Sequence, residues 1–483
     1  MKKTFPVAAA AVSMLVMVMA VVPAFAASCS NASLKGVYGY FHGRPGGLGP
    51  GTIDAALGQF TADGAGHITS GSYTVSASGT ISSGTLSGTY SIAKNCTGSL
   101  TFTSEDQSPA DFNIYFDDSS KGFQMIQTDS GDDQPGFGVP QGTVTCGLSG
   151  KKQALAINLI ATLPGETVVA TVGLITLDGK GNLSGTETAS DNGTITTFSV
   201  SGTYTEEANC TGTAQITPSG GTAQNFNTVV VNSGKELLLL ETDNGSLNGG
   251  NGQAAPASCS NASLKGVYGY LRGRPGGIGG TGVNVVLGQF TTDGAGNLTN
   301  GSFTYADEGV ITTGTFTGSY SMAKNCTGSL TFSDEDQSPA HFNVVLESSK
   351  GFQMIQTDNG NDQPGIGMAQ GTGTCGLSGK KQTLANNLLV TDFSDDLPGA
   401  IVGQMTLDGK GNISGTETFS VDYQNSTNSI TGTYTESANC TGTAQITPSG
   451  GSAMNFNTVV VDGGKELLLL ETDSNTLNGG TAQ

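Results

Sequence analysis

Apolar and polar residues alternate along short segments of this chain, and nowhere do they follow the 3.6-residue period of a helix. Thr85–Ala93 is the clearest case: Leu86, Gly88, Tyr90 and Ile92 alternate with Thr85, Ser87, Thr89 and Ser91. A strand of this kind has one face in a core and the other in water. The same frame recurs around Tyr204, Tyr320 and Tyr434. The first unit predicts strands near Leu34–His42, Ala55–Ala62, His67–Val75, Thr85–Ala93, Ser99–Thr103, Asp111–Phe116, Phe123–Thr128 and Gly138–Thr145. Their connectors, DGAG, KNCTG and DSGDDQPG among them, are rich in turn formers.

The pattern is repeated twice over. ASCSNASLKGVYGY at Ala27–Tyr40 returns unchanged at Ala257–Tyr270, and DGAGHITSG at Asp63 has a counterpart, DGKGNLSG, at Asp178. Four units of about 115 residues result, and such periodicity fixes the architecture before any local argument. Their expected limits are 27–145, 146–256, 257–374 and 375–483. The eight cysteines fall two to a unit, as Cys29/Cys96, Cys146/Cys210, Cys259/Cys326 and Cys375/Cys440. Sequence alone leaves their connectivity open, and one bridge per unit is the simplest pairing that respects the repeat.

Residues 1–26 read as an export signal, with Lys2 and Lys3 before the apolar run Val7–Val22 and the cleavage pattern Ala24-Phe25-Ala26. Export and the even cysteine count both point to an oxidising compartment, extracellular or periplasmic. Without Lys2 and Lys3, 17 basic side chains face 39 acidic ones, a net charge of −22. That balance argues against nucleic acid and anionic membranes as partners. No later run is long enough to insert in a membrane.

Eight strands joined by short hairpins predict an all-β chain of four tandem eight-stranded up-and-down barrels. In a meander the turns alternate between two ends, and each unit's cysteines would share one end. Tandem immunoglobulin-like sandwiches are the alternative, although the core tryptophan of that fold is missing. KELLLLETD, at Lys235–Asp243 and again at Lys465–Asp473, is apolar on both strand faces, as is Val168–Leu177. A strand buried on both faces needs a neighbour outside its own barrel. Odd and even barrels are therefore expected to pack as two pairs, with GGNGQAAPA before Ser258 as the linker between them.

LKGVYGY at Leu34–Tyr40, opening a strand after a cysteine, resembles the G-x-W entry of lipocalin and avidin-like (calycin-type) barrels, with tyrosine in place of tryptophan. SGTY at Ser87–Tyr90 resembles an avidin-like strand. The resemblance implies eight-stranded barrels. It does not imply biotin binding, because the chain has no tryptophan to form the aromatic box. In texture the chain is also similar to glycine- and threonine-rich secreted bacterial proteins.

Candidate chemistry is sparse. Asp63, Asp178, Asp293 and Asp408 open D-G-x-G turns, which fit hairpins better than calcium loops. His42 becomes Arg272 in the second half and His67 becomes Asn297, so neither is a shared catalytic base. No catalytic, metal or cofactor signature is present. The end of each odd barrel opposite the cysteines gathers charged loops: Arg44, Glu105, Asp106 and Asp133 in one, Arg274, Glu335, Asp336 and Asp362 in the other. Barrel mouths admit ligands; the competing reading is that these charges are solvated turns. The expected function is a secreted, non-enzymatic binding or cell-surface interaction module facing an extracellular partner such as a polysaccharide or matrix. The alternative is a lipocalin-like carrier of a small, partly apolar ligand. A hollow interior would favour the carrier, and a core filled by Tyr90, Phe102 and Phe112 the module.

Overall fold

The computed structural model describes residues 28–43, 54–77, 79–105, 108–117, 122–129, 134–142, 146–163, 167–191, 193–273, 284–307, 310–333, 339–348, 351–358, 363–371, 375–392, 397–421, 424–474 and 476–483. The signal segment and the mouth-loop residues Arg44, Asp106, Asp133, Arg274, Glu335, Asp336 and Asp362 lie outside them.

The strands close into four antiparallel barrels of eight, each in meander order with its first strand bonded to its second and its eighth. Barrel 1 runs from β1 (Gly36–Gly43) to β8 (Pro135–Pro140), and barrel 2 from β9 (Gln153–Leu163) to β16 (Leu247–Ala254). Barrel 3 runs from β17 (Gly266–Gly273) to β24 (Pro364–Ala369), and barrel 4 from β25 (Gln382–Asp392) to β32 (Thr476–Ala482). The sandwich alternative is thereby excluded. Each barrel carries one disulfide: Cys29–Cys96, Cys146–Cys210, Cys259–Cys326 and Cys375–Cys440. Each would restrict the unfolded chain by on the order of 4 kcal/mol.

The D-G-x-G segments are turns held by their own aspartates. Asp63 Oδ1 accepts the backbone N–H groups of Ala65, Gly66 and His67. Asp178, Asp293 and Asp408 repeat the arrangement. Near the disulfide, a 3₁₀ turn at Asn31–Leu34 plugs barrel 1. It sends Leu34 into the core and offers Asn31 Oδ1 to the Ile92 N–H at 2.8 Å. Barrel 3 repeats the plug with Leu264 and Asn261.

GGNGQAAPA differs from expectation. Leu247–Ala254 is the closing strand of barrel 2, bonded to both β9 and its hairpin neighbour Glu236–Glu241. Its glycines keep it inconspicuous in the sequence but suit close approach: a side chain at Gly249 would collide with the Phe41 ring of barrel 1.

The barrels form a closed ring, not two separate pairs. The first and second strands of each barrel face the sixth and seventh strands of the next, and those of barrel 4 face β6 (Ser108–Phe116) and β7 (Phe123–Gln127) of barrel 1. One hydrogen bond marks all four junctions. Asn227 Nδ2 donates to Thr74 Oγ1 at 2.6 Å. Asn343 donates to Thr188, Asn457 to Thr304 and Asn113 to Thr418, each at 2.8 Å. Head-to-tail contacts of this kind close into a ring when the rotation between units allows it.

The apolar filling alternates around the ring. Leu238 and Val231 pack on Phe41 and Leu57 between barrels 1 and 2, and Leu468 and Val461 pack on Leu271 and Leu287 between barrels 3 and 4. These are the outward residues of the doubly apolar strands; Leu237 and Leu239 point into barrel 2. Gly39 allows the approach, because a Cβ there would lie 2.4 Å from Val231 Cγ1. The other two junctions use smaller residues: Ala156 and Val172 under Val345 and Ile355, and Ala385, Ala400 and Val402 under Tyr115 and Ile126.

Candidate functional site

Alternation along β1 sends Tyr38, Tyr40 and His42 into barrel 1 and leaves Gly39 and Phe41 outside. The interior is a stack of rings. Tyr40 lies 4.9 Å from Phe102, Phe60 lies 5.6 Å from Phe102, and Phe102 lies 5.6 Å from Phe112, centroid to centroid. Phe102, Phe112 and Tyr90 are all buried in this core. Barrel 3 repeats the stack with Tyr270, Phe290, Phe332 and Phe342. In barrel 2 the aliphatic interior leaves a cavity of about 20 Å³, far below the ~300 Å³ that a small ligand requires.

Above the rings of barrel 1 sits a buried polar network. The structure places Glu105 inside the barrel, not on a loop. Its Oε1 accepts the Tyr40 hydroxyl at 2.5 Å, and its Oε2 lies 3.1 Å from His42 Nε2. His42 Nδ1 lies 2.8 Å from Gln134 Oε1, while Gln134 Nε2 donates to Asp54 Oδ1 at 2.6 Å. Since Gln134 donates to Asp54, its oxygen faces the histidine and Nδ1 must carry a proton. Nε2, facing a carboxylate, carries one too. These contacts favour the imidazolium form of His42. Burial alone would lower its pKa, but the Glu105 charge and the hydrogen bonds to Glu105 and Gln134 raise it above the ordinary value. Burial and the same carboxylate hold the Tyr40 hydroxyl protonated.

Barrel 3 keeps the cation and changes its identity. Arg272 donates to Gln356 Oε1 at 3.0 Å and to Gln363, which in turn donates to Asn284. Its guanidinium lies 5.3 Å from the Phe342 ring, as His42 lies 4.9 Å from Phe112. One position thus sets a basic side chain against an aromatic ring in both odd barrels. The described groups of the barrel 1 network are bonded to one another.

The even barrels bury acids that the sequence reading missed. Glu187 and Glu417 share the inward phase of Leu183 and Ile413. Both have pKa values raised to about 7 by burial, and Glu187 Oε1 has no hydrogen-bond partner among the described residues. Burial likewise raises Glu471 to about 7 and Glu466 to about 8. The period-two phase of GTETAS and ELLLLE was the available signal. A carboxyl whose folded pKa is raised adds stability below its unfolded pKa and loses it as pH rises through the folded value. Stability is therefore expected to fall between about pH 4.5 and pH 7–8. For Glu187 the loss is on the order of 3 kcal/mol. Urea titrations across that range should show the slope, and Glu187→Gln should flatten its share.

Two adjoining depressions lie outside the barrels, at the junction of barrels 3 and 4, with volumes of about 760 and 450 Å³. Ser302 and Thr315 line both. The first is walled by the disulfide turn of barrel 4 at Ala438–Cys440. Cys440 adopts a left-handed φ of 64° there, as Cys96, Cys210 and Cys326 do in their own turns.

Among known proteins no family model matches the chain, and no curated relative does. Among solved structures, the chain is similar to the isotype 1 transferrin binding protein B of serogroup B Neisseria meningitidis, with 10% identity and a TM-score of 0.19. That match covers 74% of this chain and 84% of the other. A mutant of the transferrin binding protein B vaccine antigen from Haemophilus parasuis matches at 9% identity and a TM-score of 0.18, covering 75% of this chain and 82% of the other. Among the described residues no helix is long and apolar enough to cross a membrane, and no group of three metal-ligating side chains occurs.

Proposed function

We propose that the protein is an exported, non-enzymatic binding module that presents the outer surfaces of a four-barrel ring to an extracellular polymer, polysaccharide or matrix. The observation that carries this reading is the filled interior of the odd barrels. Rings packed 4.9–5.8 Å apart occupy the space in which a carrier would hold its ligand. The one disulfide in each barrel supports residence in an oxidising compartment. The closed ring supports a display role, since it fixes related surfaces in one rigid frame and favours avidity toward a repetitive partner.

Purified mature protein should be retained on insoluble polysaccharide or matrix and should carry no apolar small molecule by native mass spectrometry. Co-purification of a stoichiometric apolar ligand, with no retention on any polymer, would reverse the choice in favour of the carrier.

A further inference from the structure

The depressions at the junction of barrels 3 and 4 are lined by a mixture of neutral polar and apolar groups, in a chain whose net charge is −20. Three adjacent strands of barrel 3 contribute side chains at outward positions: Gln289 and Thr291, then Asn300 and Ser302, then Thr315 and Thr317. The side chains of Thr291, Asn300, Ser302 and Thr315 make no hydrogen bond among the described residues. Among the described residues, no charged side chain lines either depression.

The floor carries the more telling feature. Gln370 Nε2 donates to Gln289 Oε1 at 2.7 Å, and the two side chains are 6% and 5% exposed. That bond uses one donor and one acceptor. It leaves the Gln289 amide nitrogen and the Gln370 carbonyl oxygen without a partner among the described residues. Buried amides normally have such atoms satisfied. Here they border open space, as a donor beside an acceptor. Barrel 1 repeats the pair, with Gln141 Nε2 donating to Gln59 Oε1 at 2.8 Å.

We infer that this groove binds an uncharged glycan chain, a reading that rests on the proposed binding function and narrows it. Adjacent sugar hydroxyls act as donor and acceptor together, which suits the Gln289–Gln370 pair. Val267, 36% exposed at the rim, offers an apolar contact for the C–H face of a pyranose ring. A uronic acid polymer would find no cation here and a negatively charged protein around it. The volume of about 760 Å³ falls within the range of small-molecule sites.

Isothermal titration of the full mature protein with hexasaccharides of β-1,4-glucose, α-1,4-glucose and β-1,4-mannose, and with oligogalacturonate of equal length, tests the inference. At least one uncharged hexasaccharide should bind, and oligogalacturonate should not. Ser302→Trp combined with its barrel 1 counterpart Ser72→Trp should weaken binding at least about tenfold. A second pair, Thr315→Trp with Thr85→Trp, should do the same, which guards against one pair failing to fold. The inference falls if no uncharged hexasaccharide binds, if oligogalacturonate binds as well as they do, or if binding survives both pairs. Retention on polymer without hexasaccharide binding would sink the groove alone and leave the binding module standing.

Discussion

Glu105→Ala is expected to destabilise barrel 1 by roughly 3–5 kcal/mol, because it removes one partner of a buried ion pair and strands the other. His42 would keep Gln134 but lose the carboxylate opposite Nε2, and the Tyr40 hydroxyl would lose its acceptor. Both residues are buried, so water cannot replace the missing oxygen without opening the barrel. Chemical denaturation at fixed pH measures the loss, and a change below about 1 kcal/mol would place the pair in the range of solvated surface contacts. Glu105→Gln should cost less, since its amide oxygen still accepts from one neighbour.

The pH dependence supplies an independent sign. The His42 pKa is raised on folding, so its contribution is complete below about 6.5 and is lost as pH rises through the folded value. The Glu105→Ala variant should lack that part of the slope. His42→Arg, by contrast, should be tolerated. Barrel 3 already holds Arg272 over Phe342 with Gln356 and Gln363 as acceptors, and barrel 1 carries Gln127 and Gln134 at the equivalent places.

This network shows where the sequence was readable and where it was not. Strand identity and barrel closure followed from alternation and turn chemistry, which act over a few residues, and the one-bridge-per-unit pairing from the internal repeat. The inward phase of Tyr38, Tyr40 and His42 was equally local. Setting His42 aside because Arg272 replaces it tested for catalysis, and missed that a cation is what both residues supply. The predicted strand stops at Thr103 and leaves Glu105 in a loop, whereas the observed strand continues to Glu105, which is buried. The polar pairs Gln370–Gln289 and Gln141–Gln59 join residues about 80 positions apart, and no local pattern announces them. The same holds for the ring. Asn113 and Thr418 look like ordinary outward strand residues until barrel 4 meets barrel 1.

Ring closure sets the second large effect, and it reverses the simplest expectation for a cut chain. Ala257 and Ser258 are exposed between barrels 2 and 3, so a specific protease site inserted there should be cleaved efficiently. If the barrels were two independent pairs, cleavage would release two halves. In the ring the halves share two junctions, one under Val345 and Ile355 and the other under Tyr115 and Ile126. The cleaved protein should therefore elute as one species at native concentration. Ala400 is fully buried at the junction of barrels 4 and 1, and Ala170 holds the corresponding place between barrels 2 and 3. An arginine at either site puts a long charged side chain into a buried, closely packed contact, at a cost of several kcal/mol. Either change alone should open the ring and enlarge it in small-angle scattering while the barrels stay folded. The cleaved double variant, Ala170→Arg with Ala400→Arg, should separate into halves, because neither shared junction survives. Separation of the cleaved unmutated chain would mean that those two junctions are too weak to close the ring, leaving the Leu238 and Leu468 contacts to hold the pairs alone.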